Sequence, residues 1–165
     1  MNTNAADHPV FLSLSRLFEP VLRGLNEAGD WIAHSSLRLL LAWEFWESGV
    51  EKFTGSNWFH EIREDFPPPF SMLPSELSWQ LATWSELLGA LCLAIGLATR
   101  FWAVSLLIVT AVAWSAVHAG HGYNVCDNGW KLPLIYVAML IPMILRGPGR
   151  LSIDHLVARR MRSGV

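Results

Sequence analysis

The segment that decides the fold runs from Gln80 to Thr99 and reads QLATWSELLGALCLAIGLAT, with a single formal charge at Glu86. An α-helix rises about 1.5 Å per residue, so a segment of this length spans the ~30 Å hydrocarbon core of a bilayer. Residues 101–119 follow without a formal charge, and only Arg100 separates the two segments. The sequence therefore predicts a tight hairpin of two transmembrane helices, over residues 80–99 and 101–119.

The composition of the whole chain also indicates a membrane protein. Hydrophobic residues make up 52% of the sequence and charged residues 16%, against about 25% charged residues in an average soluble domain. A chain of 165 residues has room for one domain, so we predict a single membrane domain over residues 1–165. The net charge of −2 gives no indication of nucleic-acid binding.

Two further segments are weaker candidates for membrane spans. Residues 35–53 contain Arg38, Glu44, Glu47, Glu51 and Lys52, and this segment would also fit a soluble amphipathic helix. Residues 130–146 include 14 uncharged residues between Lys131 and Arg146, which is short for a span and would also fit a re-entrant segment.

The distribution of basic residues decides in favour of four spans. A four-span arrangement places eight arginines on one side of the membrane and Lys52, Arg63 and Lys131 on the other. Positively charged residues concentrate on the cytoplasmic side, so we predict that both termini, including the tail 147–165, are cytoplasmic. The eight arginines are Arg16, Arg23, Arg100, Arg146, Arg150, Arg159, Arg160 and Arg162.

Apolar residues recur at helical spacing in the segment 9–27, before the first predicted span. This pattern predicts an amphipathic helix on the cytoplasmic face of the membrane, with a kink or a late start at Pro20. A helix packed against the bundle is the open alternative. The predicted fold class is therefore all-α, a four-transmembrane-helix bundle with an N-terminal amphipathic interfacial helix.

The charges of the first span need an explanation, because an ionised side chain facing lipid costs several kcal/mol. At 100° per residue Glu44, Glu47 and Glu51 form one acidic stripe, while Arg38 and Lys52 lie on a different side of the helix. Glu86 and Glu47 each lie six residues, roughly 9 Å, below the outer ends of their spans.

We predict a polar centre built on a Glu86–Lys52 ion pair beside Glu47, with Arg38 and Glu44 as further members. Arg38 lies near the cytoplasmic end of its span, where we expect its long side chain to extend to the membrane surface. The alternative is that these groups only hold the helices together, as polar residues in membranes often do. The sequence assigns no catalytic role to any of them.

A second group of polar residues lies between the third and fourth spans. Imidazole, thiolate and carboxylate groups together are able to hold copper or zinc, which makes His118, His121, Cys126 and Asp127 candidate metal ligands. Their spacing matches no strong metal motif, and an ordinary solvated loop is the alternative.

Three runs of this sequence resemble the DoxX family of small bacterial membrane proteins: LRLLLAWEFWESGVEKF at 37–53, WSELLGALCLAIGLATRFWA at 84–103 and GPGRLSID at 147–154. The resemblance implies a four-helix bundle in the bacterial cytoplasmic (inner) membrane. The family-like positions are Arg38, Phe45, Gly49, Lys52, Glu86, Gly89, Gly96, Leu97, Thr99, Arg100, Gly147, Gly149, Leu151, Ser152 and Asp154.

Within the family, the runs at 43–52 and 66–89 most resemble the branch found with enzymes that mature copper-binding ribosomal peptides. Other members resemble subunits of quinol- or thiosulfate-linked oxidoreductases. The leading hypothesis is an accessory membrane subunit, rather than a stand-alone enzyme, in a quinone-linked redox or copper-stress peptide maturation pathway. The cofactors it implies are quinone or copper, and the implied partners are the lipid bilayer, other proteins or a second copy, and a modified peptide.

Two other functions remain open on the sequence. One is a small transporter or exporter component that uses the buried carboxylates. The other is a non-catalytic membrane scaffold. The sequence contains no haem-ligating pair, flavin motif or iron–sulfur cysteine set, so a redox role needs a quinone in the bundle or a partner that carries the cofactor.

Overall fold

A computed structural model describes residues 9–164, with side chains from residue 18 onward except that of Asp30. The described residues are all-α and contain no strand, which confirms the all-α part of the predicted fold class. The helices are α1 (Pro9–Thr54), α2 (Ser75–Ile95), α3 (Thr99–Ala113), which continues as a π-helical turn (Trp114–His118), α4 (Lys131–Arg146) and α5 (Ile153–Ser163). By length and apolar composition, one helix of the described residues is able to cross a membrane, Thr99–His118.

The predicted interfacial helix and the predicted first span are one continuous helix, α1, of 46 residues. The predicted late start at Pro20 is wrong, because α1 begins at Pro9 and includes Pro20 in its interior, whereas the predicted kink stays a prediction. A proline removes one backbone hydrogen bond. Next to it, an i,i+4 ion pair joins Arg23 Nη2 to Glu19 Oε1 at 2.6 Å across the proline, and such a pair supports a helix.

The first half of α1 does not pack against the rest of the molecule where its side chains are described. Phe18, Val21, Leu22 and Leu25, half of the predicted apolar face, are exposed. The other half, residues 10–17, lies outside the described side chains. An exposed apolar face is what an interfacial helix presents to a membrane, whereas the alternative of packing against the bundle requires this face to be buried.

The turn between α2 and α3 differs from the predicted one. It consists of Gly96–Ala98 and not of Arg100, because α2 already ends at Ile95 and α3 begins at Thr99. Gly96 has a φ of +71°, the left-handed conformation that commonly ends helices. The carboxylate of Asp154 then accepts the amides of Ala98 at 2.7 Å and Thr99 at 2.9 Å, which fixes the start of α3.

The remaining helix bounds lie close to the predicted ones, apart from an unpredicted helix in the tail. The segment α3 plus its π-helical turn covers 99–118, and α4 covers 131–146. Residues 147–165 were expected to form only a tail, but Ser152 caps a helix there by accepting the amide of His155 at 3.1 Å. The charged sequence IDHLVARRMRS has no apolar run long enough to indicate this helix from composition.

Close contact between α1 and α2 brings the predicted polar residues together. A Cβ atom on Gly49 would lie 2.9 Å from Leu87 Cγ and 3.1 Å from the Leu87 backbone nitrogen. The missing side chain at position 49 therefore lets α1 approach the backbone of α2, just below Lys52 and Glu86. One apolar cluster fills the bundle beneath this contact, formed by Leu41, Ala42, Phe45, Ala90, Leu93, Ala103, Leu106, Leu140 and Met143.

The loop between α1 and α2 folds back over the end of the bundle. Phe59 and Phe66 of the loop are buried against Trp79 of α2 in edge-on ring contacts, with centroids 5.2 Å apart for Phe59–Phe66 and 5.0 Å for Phe59–Trp79. Edge-to-face packing at this distance is a favourable arrangement of aromatic rings. The loop thereby closes one end of a space that the four helices leave between them.

Candidate functional site

A cavity of about 430 Å³ lies between α1, α2, α3 and α4 under the α1–α2 loop. We call it the polar cavity. Most of its wall is apolar and includes Phe45, Phe59, Phe66, Val109 and Val112. Its polar lining consists of Glu44, Ser48, Glu51, Lys52, Glu86, Thr110, His118, Asn128 and Tyr136.

The predicted Lys52–Glu86 ion pair is present in the wall of the polar cavity. Lys52 Nζ lies 3.0 Å from Glu86 Oε2 and also donates a hydrogen bond to Ser48 Oγ at 2.8 Å. Glu86 is 3% exposed. The Lys52 contact departs from hydrogen-bond geometry, so Glu86 Oε2 has acceptor capacity left for a further donor. A buried carboxylate oxygen with spare acceptor capacity is costly to a fold, and a ligand donor is one way to satisfy it.

A second polar pair faces the same cavity from α1 and α4. The hydroxyl of Tyr136 donates to Glu44 Oε2 at 2.6 Å, a short distance typical of a hydrogen bond to an ionised acceptor. The Tyr136 ring also packs on Phe45 with the ring centroids 5.5 Å apart. Two polar pairs therefore line the cavity, and each contains a carboxylate. In Lys52–Glu86 the carboxylate meets an ammonium group, and in Tyr136–Glu44 it meets a phenol.

Glu47 does not join this site. Its side chain is exposed on α1 and it does not line the polar cavity. The residues that do face the cavity from α1 are Glu44, Ser48, Glu51 and Lys52, which are spaced as one helical face. The depth predicted from the sequence was therefore not sufficient to place Glu47 beside Glu86, because the Glu47 side chain is exposed and lies outside the cavity lining.

Arg38 lies at the other end of the bundle and is separate from the polar cavity. Its Nη1 donates to the carbonyl of Pro148 at 2.7 Å and its Nη2 to the carbonyl of Leu151 at 2.6 Å. It is 4% exposed, so the expectation that it extends to the membrane surface is wrong. The reason is that the α4–α5 connection folds over it and supplies carbonyl acceptors.

We call the residues around this arginine the Arg38 clasp: Arg38, Gly96, Ser152 and Asp154. A Cβ atom on Gly96 would lie 2.8 Å from Arg38 Nη1 and 2.5 Å from Ser152 Cβ. The amide of Asp154 donates to the Gly96 carbonyl at 3.0 Å, while the Asp154 carboxylate caps α3. The clasp joins α1, the α2–α3 turn and the start of α5, and it brings together an arginine, a glycine and an aspartate that are far apart in the sequence.

The predicted metal ligands do not converge in the structure. Among the described residues, no group of three or more histidine, cysteine, aspartate or glutamate side chains is arranged to hold a metal ion. His118 Nδ1 instead donates to the Asn128 carbonyl at 2.7 Å, and Asp127 Oδ2 accepts from Asn124 Nδ2 at 2.9 Å. Metal binding by His118, His121, Cys126 and Asp127 stays a prediction without support from this geometry.

Several residues of the polar cavity were not predicted from the sequence. Tyr136 is the one with a usable signal, since it is the single hydroxyl-bearing residue within the otherwise apolar segment 132–145. Ser48 carried no comparable signal, because isolated serine residues are common at helix surfaces, and His118 was predicted only as a metal ligand and not as a member of this cavity. His118 reaches the cavity because α3 continues as a π-helical turn up to that residue.

Comparison with known proteins gives a family and one curated relative. The family model described as DoxX matches residues 33–119 of this chain. A Haemophilus influenzae protein described as "Uncharacterized protein" is 50% identical over 131 residues, which cover 79% of this chain and 87% of the relative. No solved structure matches the chain.

Proposed function

Because the chain belongs to the DoxX family and is therefore a membrane protein, we propose that it crosses the bacterial cytoplasmic membrane four times with both termini in the cytoplasm. The described helices that correspond to the four spans are the second half of α1, α2, α3 with its π-helical turn, and α4. The concentration of arginines on the Arg38 side of the bundle supports this orientation. In it, the polar cavity lies in the outer half of the membrane.

We further propose that the polar cavity binds the head group of a quinone and exchanges protons with it. The observation that carries this proposal is an apolar cavity with two acid-containing pairs, Lys52–Glu86 and Tyr136–Glu44, in its wall. A volume of about 430 Å³ is within the range of small-molecule sites. A quinone needs apolar walls for its ring, donors for its carbonyl oxygens and acceptors for the protons of its quinol form.

The polar residues match these needs in chemical terms. Lys52 and Tyr136 carry the donors, and Glu86 and Glu44 carry the acceptors. Oxidation of a quinol to a quinone releases two protons and two electrons. The carboxylates are placed to accept protons, while the electrons require a partner protein with a metal or haem cofactor. The protein is accordingly an accessory membrane subunit of a redox complex, not a complete enzyme.

The copper-stress peptide maturation pathway is the second setting in which such a subunit fits. Its support is the resemblance of residues 43–52 and 66–89 to that branch of the family. Since the relative is described only as uncharacterised, the pathway is tested by the neighbouring genes. A neighbour that modifies ribosomal peptides would support this pathway, together with increased copper sensitivity when the protein's own gene is deleted.

Transport is the competing function for the same cavity, because Glu44, Glu51 and Glu86 are three carboxylates facing one space. It is distinguished by proton-driven uptake of a cation into vesicles that contain this protein alone. A quinone-binding subunit shows no such uptake, and it binds quinone without a gradient.

The binding test uses the full chain in detergent, titrated with a short-tailed ubiquinone and followed by quenching of tryptophan fluorescence. Trp58 lines the polar cavity and serves as an intrinsic reporter. We expect saturable quenching by the wild type and at least tenfold weaker binding by Glu86→Gln, since a hydrogen bond to a charged group contributes about 1.5–3 kcal/mol. Tyr136→Phe, which keeps the ring, should weaken binding by a smaller factor.

The matched control is Glu64→Gln, which removes one carboxylate from an exposed position of the α1–α2 loop. Its quinone affinity should equal that of the wild type. Quenching that does not saturate, or equal affinities for Glu86→Gln and the wild type, would reject the proposal.

A further inference from the structure

A second cavity lies at the opposite end of the bundle, beside the Arg38 clasp. It is an open cleft of about 600 Å³ between α1, the start of α3, the α4–α5 connection and α5. We call it the basic cleft, because Arg100, Arg146, Arg150 and Arg162 line it. It shares no lining residue with the polar cavity, so its properties are independent of the ligand proposed there.

The positive charge of the basic cleft is not balanced by carboxylates in its own wall. Asp154 is the one carboxylate that lines the cleft, and both of its oxygens already accept backbone amides, at 2.7 Å from Ala98 and 2.9 Å from Thr99. Among the ion pairs between described residues, none includes Arg100, Arg146 or Arg162. These three arginines opposite one carboxylate leave an excess of about two positive charges in a single depression, even without counting Arg150.

Two of the cleft arginines are held in position. Arg100 Nη2 donates to the Leu145 carbonyl at 3.3 Å. A Cβ atom on Gly147 would lie 3.4 Å from Arg100 Nε, so the glycine backbone lies directly against the guanidinium. The guanidinium of Arg150 lies 5.7 Å from the centre of the Trp31 ring, within cation–π distance. Positioned guanidinium groups lose less side-chain entropy when they bind an anion.

Apolar side chains at the same place indicate the kind of anion. Phe101 lines the cleft and is 66% exposed, and Leu145, which does not line the cleft but whose carbonyl accepts from Arg100, is 71% exposed. A lipid with an anionic head group fits both the arginines and the exposed apolar side chains. The arginines would bind the head group, and the apolar side chains would contact the acyl chains. The proposed topology places this end in the cytoplasmic leaflet, where anionic lipids are recognised by basic pockets between helices.

From the cleft, its excess of positive charge and its apolar rim, we propose that the basic cleft binds a phosphate group, supplied by the head group of an anionic phospholipid. The guanidinium fork matches a phosphate with two parallel hydrogen bonds. Arginines of the cytoplasmic tail also serve to orient a membrane protein, but that role needs no cavity. Arg159 and Arg160 provide the comparison, because they lie on the same helix as Arg162 and do not line the cleft.

The experiment compares two double variants of the full chain, each of which loses two positive charges. Arg146→Gln/Arg162→Gln removes charge from the cleft, and Arg159→Gln/Arg160→Gln removes it from the adjacent surface. None of these four side chains makes an ion pair with another described residue, so both variants should fold. The protein is incubated in mixed micelles of phosphatidylglycerol and phosphatidylcholine, and bound lipid is counted by native mass spectrometry.

We expect the wild type to retain one phosphatidylglycerol in preference to phosphatidylcholine. The cleft variant should bind it at least tenfold more weakly, and the surface variant within about twofold of the wild type. Equal losses in both variants, or no loss in the cleft variant, would overturn the proposal. Repeating the assay with inorganic phosphate separates the two sources of the anion. Retention of the lipid in excess phosphate supports the head group, and displacement by millimolar phosphate overturns the lipid assignment.

Discussion

The Arg38 clasp and the polar cavity use the same chemistry in opposite ways. Each places a basic side chain and a carboxylate between helices, with Arg38 4% exposed and Glu86 3% exposed. In the clasp, Arg38 donates to two backbone carbonyls and Asp154 accepts two backbone amides. In the polar cavity, Lys52 and Glu86 meet each other, and a space of about 430 Å³ remains beside them.

Arg38 and Glu86 are equally buried, so burial alone does not distinguish a structural charge from a ligand-binding one. The groups that each charge contacts do distinguish them. Backbone partners are fixed by the course of the chain, so a charge that binds them holds the fold together and has little capacity for a ligand. Side-chain partners beside a cavity are free to change partners when a ligand enters. We therefore expect substitutions in the clasp to lower stability and substitutions in the polar cavity to lower binding.

The largest effect on stability should come from Gly96→Ala in the clasp. A non-glycine residue in the left-handed conformation costs about 1–2 kcal/mol, and Gly96 has a φ of +71°. The new Cβ would also lie 2.5 Å from Ser152 Cβ and 2.9 Å from Ser152 Cα, and overpacking of this kind costs about 1–3 kcal/mol. We expect the free energy of unfolding in detergent to fall by roughly 3 kcal/mol.

Gly24→Ala is the matched control for this substitution. Gly24 lies inside α1, and a Cβ there would meet no atom within 4 Å. Since alanine is favoured over glycine in a helix by up to about 1 kcal/mol, its stability should be unchanged or slightly higher. If Gly96→Ala were as stable as Gly24→Ala, the clasp would not be the part that holds this end of the bundle together.

The fold was largely predictable because its signals are local in the sequence. The uncharged segment 101–119 and the nearly uncharged segment 80–99 indicated two helices and their hairpin directly. The exact turn was missed because it is set by Asp154, which follows Thr99 by 55 residues. The continuity of α1 through Pro20 was missed because a proline indicates a break unless neighbouring residues support the helix, as Glu19 and Arg23 do here.

The candidate site was predictable only where residues share both depth and helix face. Lys52 and Glu86 meet as the sequence predicted, because Gly49 lets α1 approach α2 closely at Leu87, next to Glu86. Glu47 was misplaced because the prediction used its distance from the end of the span and not the face of the helix on which its side chain lies. Arg38 was misplaced because its partners, the carbonyls of Pro148 and Leu151, are more than 100 residues away and belong to a loop, residues 147–152, that contains no acidic residue.

Asp154→Asn tests the part of the clasp that caps α3, and it should have the second largest effect on stability. The asparagine amide offers one oxygen and one NH₂ group, so either the Ala98 or the Thr99 amide loses its acceptor. Leaving one donor without a partner costs about 1–3 kcal/mol. We expect thermal unfolding at a lower temperature, together with unchanged affinity for the short-tailed ubiquinone.

Glu27→Gln is the control, because Glu27 is an exposed carboxylate of α1. A surface substitution of this kind changes stability by less than about 0.5 kcal/mol. A loss of ubiquinone binding by Asp154→Asn, at a temperature where the variant remains folded, would show that the two ends of the bundle are coupled, and the comparison would have to be abandoned.

The smallest net change in the free energy of unfolding should come from replacing both members of the Lys52–Glu86 ion pair in the polar cavity. Lys52→Met alone leaves Glu86 without its cation, and Glu86→Gln alone leaves Lys52 without its anion. Breaking one side of a buried pair is more destabilising than replacing both, so each single variant should lose more stability than the double variant. We expect the double variant to unfold within about 1 kcal/mol of the wild type, with a coupling energy of about 1–2 kcal/mol.

The exposed pair His60–Glu61, with His60 Nε2 lying 3.8 Å from Glu61 Oε1, is the control for this double-mutant cycle. Its coupling energy should be close to zero, because exposed ion pairs contribute little. If Lys52 and Glu86 serve a ligand and not the fold, the double variant regains stability but not ubiquinone binding. Additive losses in Lys52→Met and Glu86→Gln would contradict this, since they would mean that each of the two residues supports the fold independently of the other.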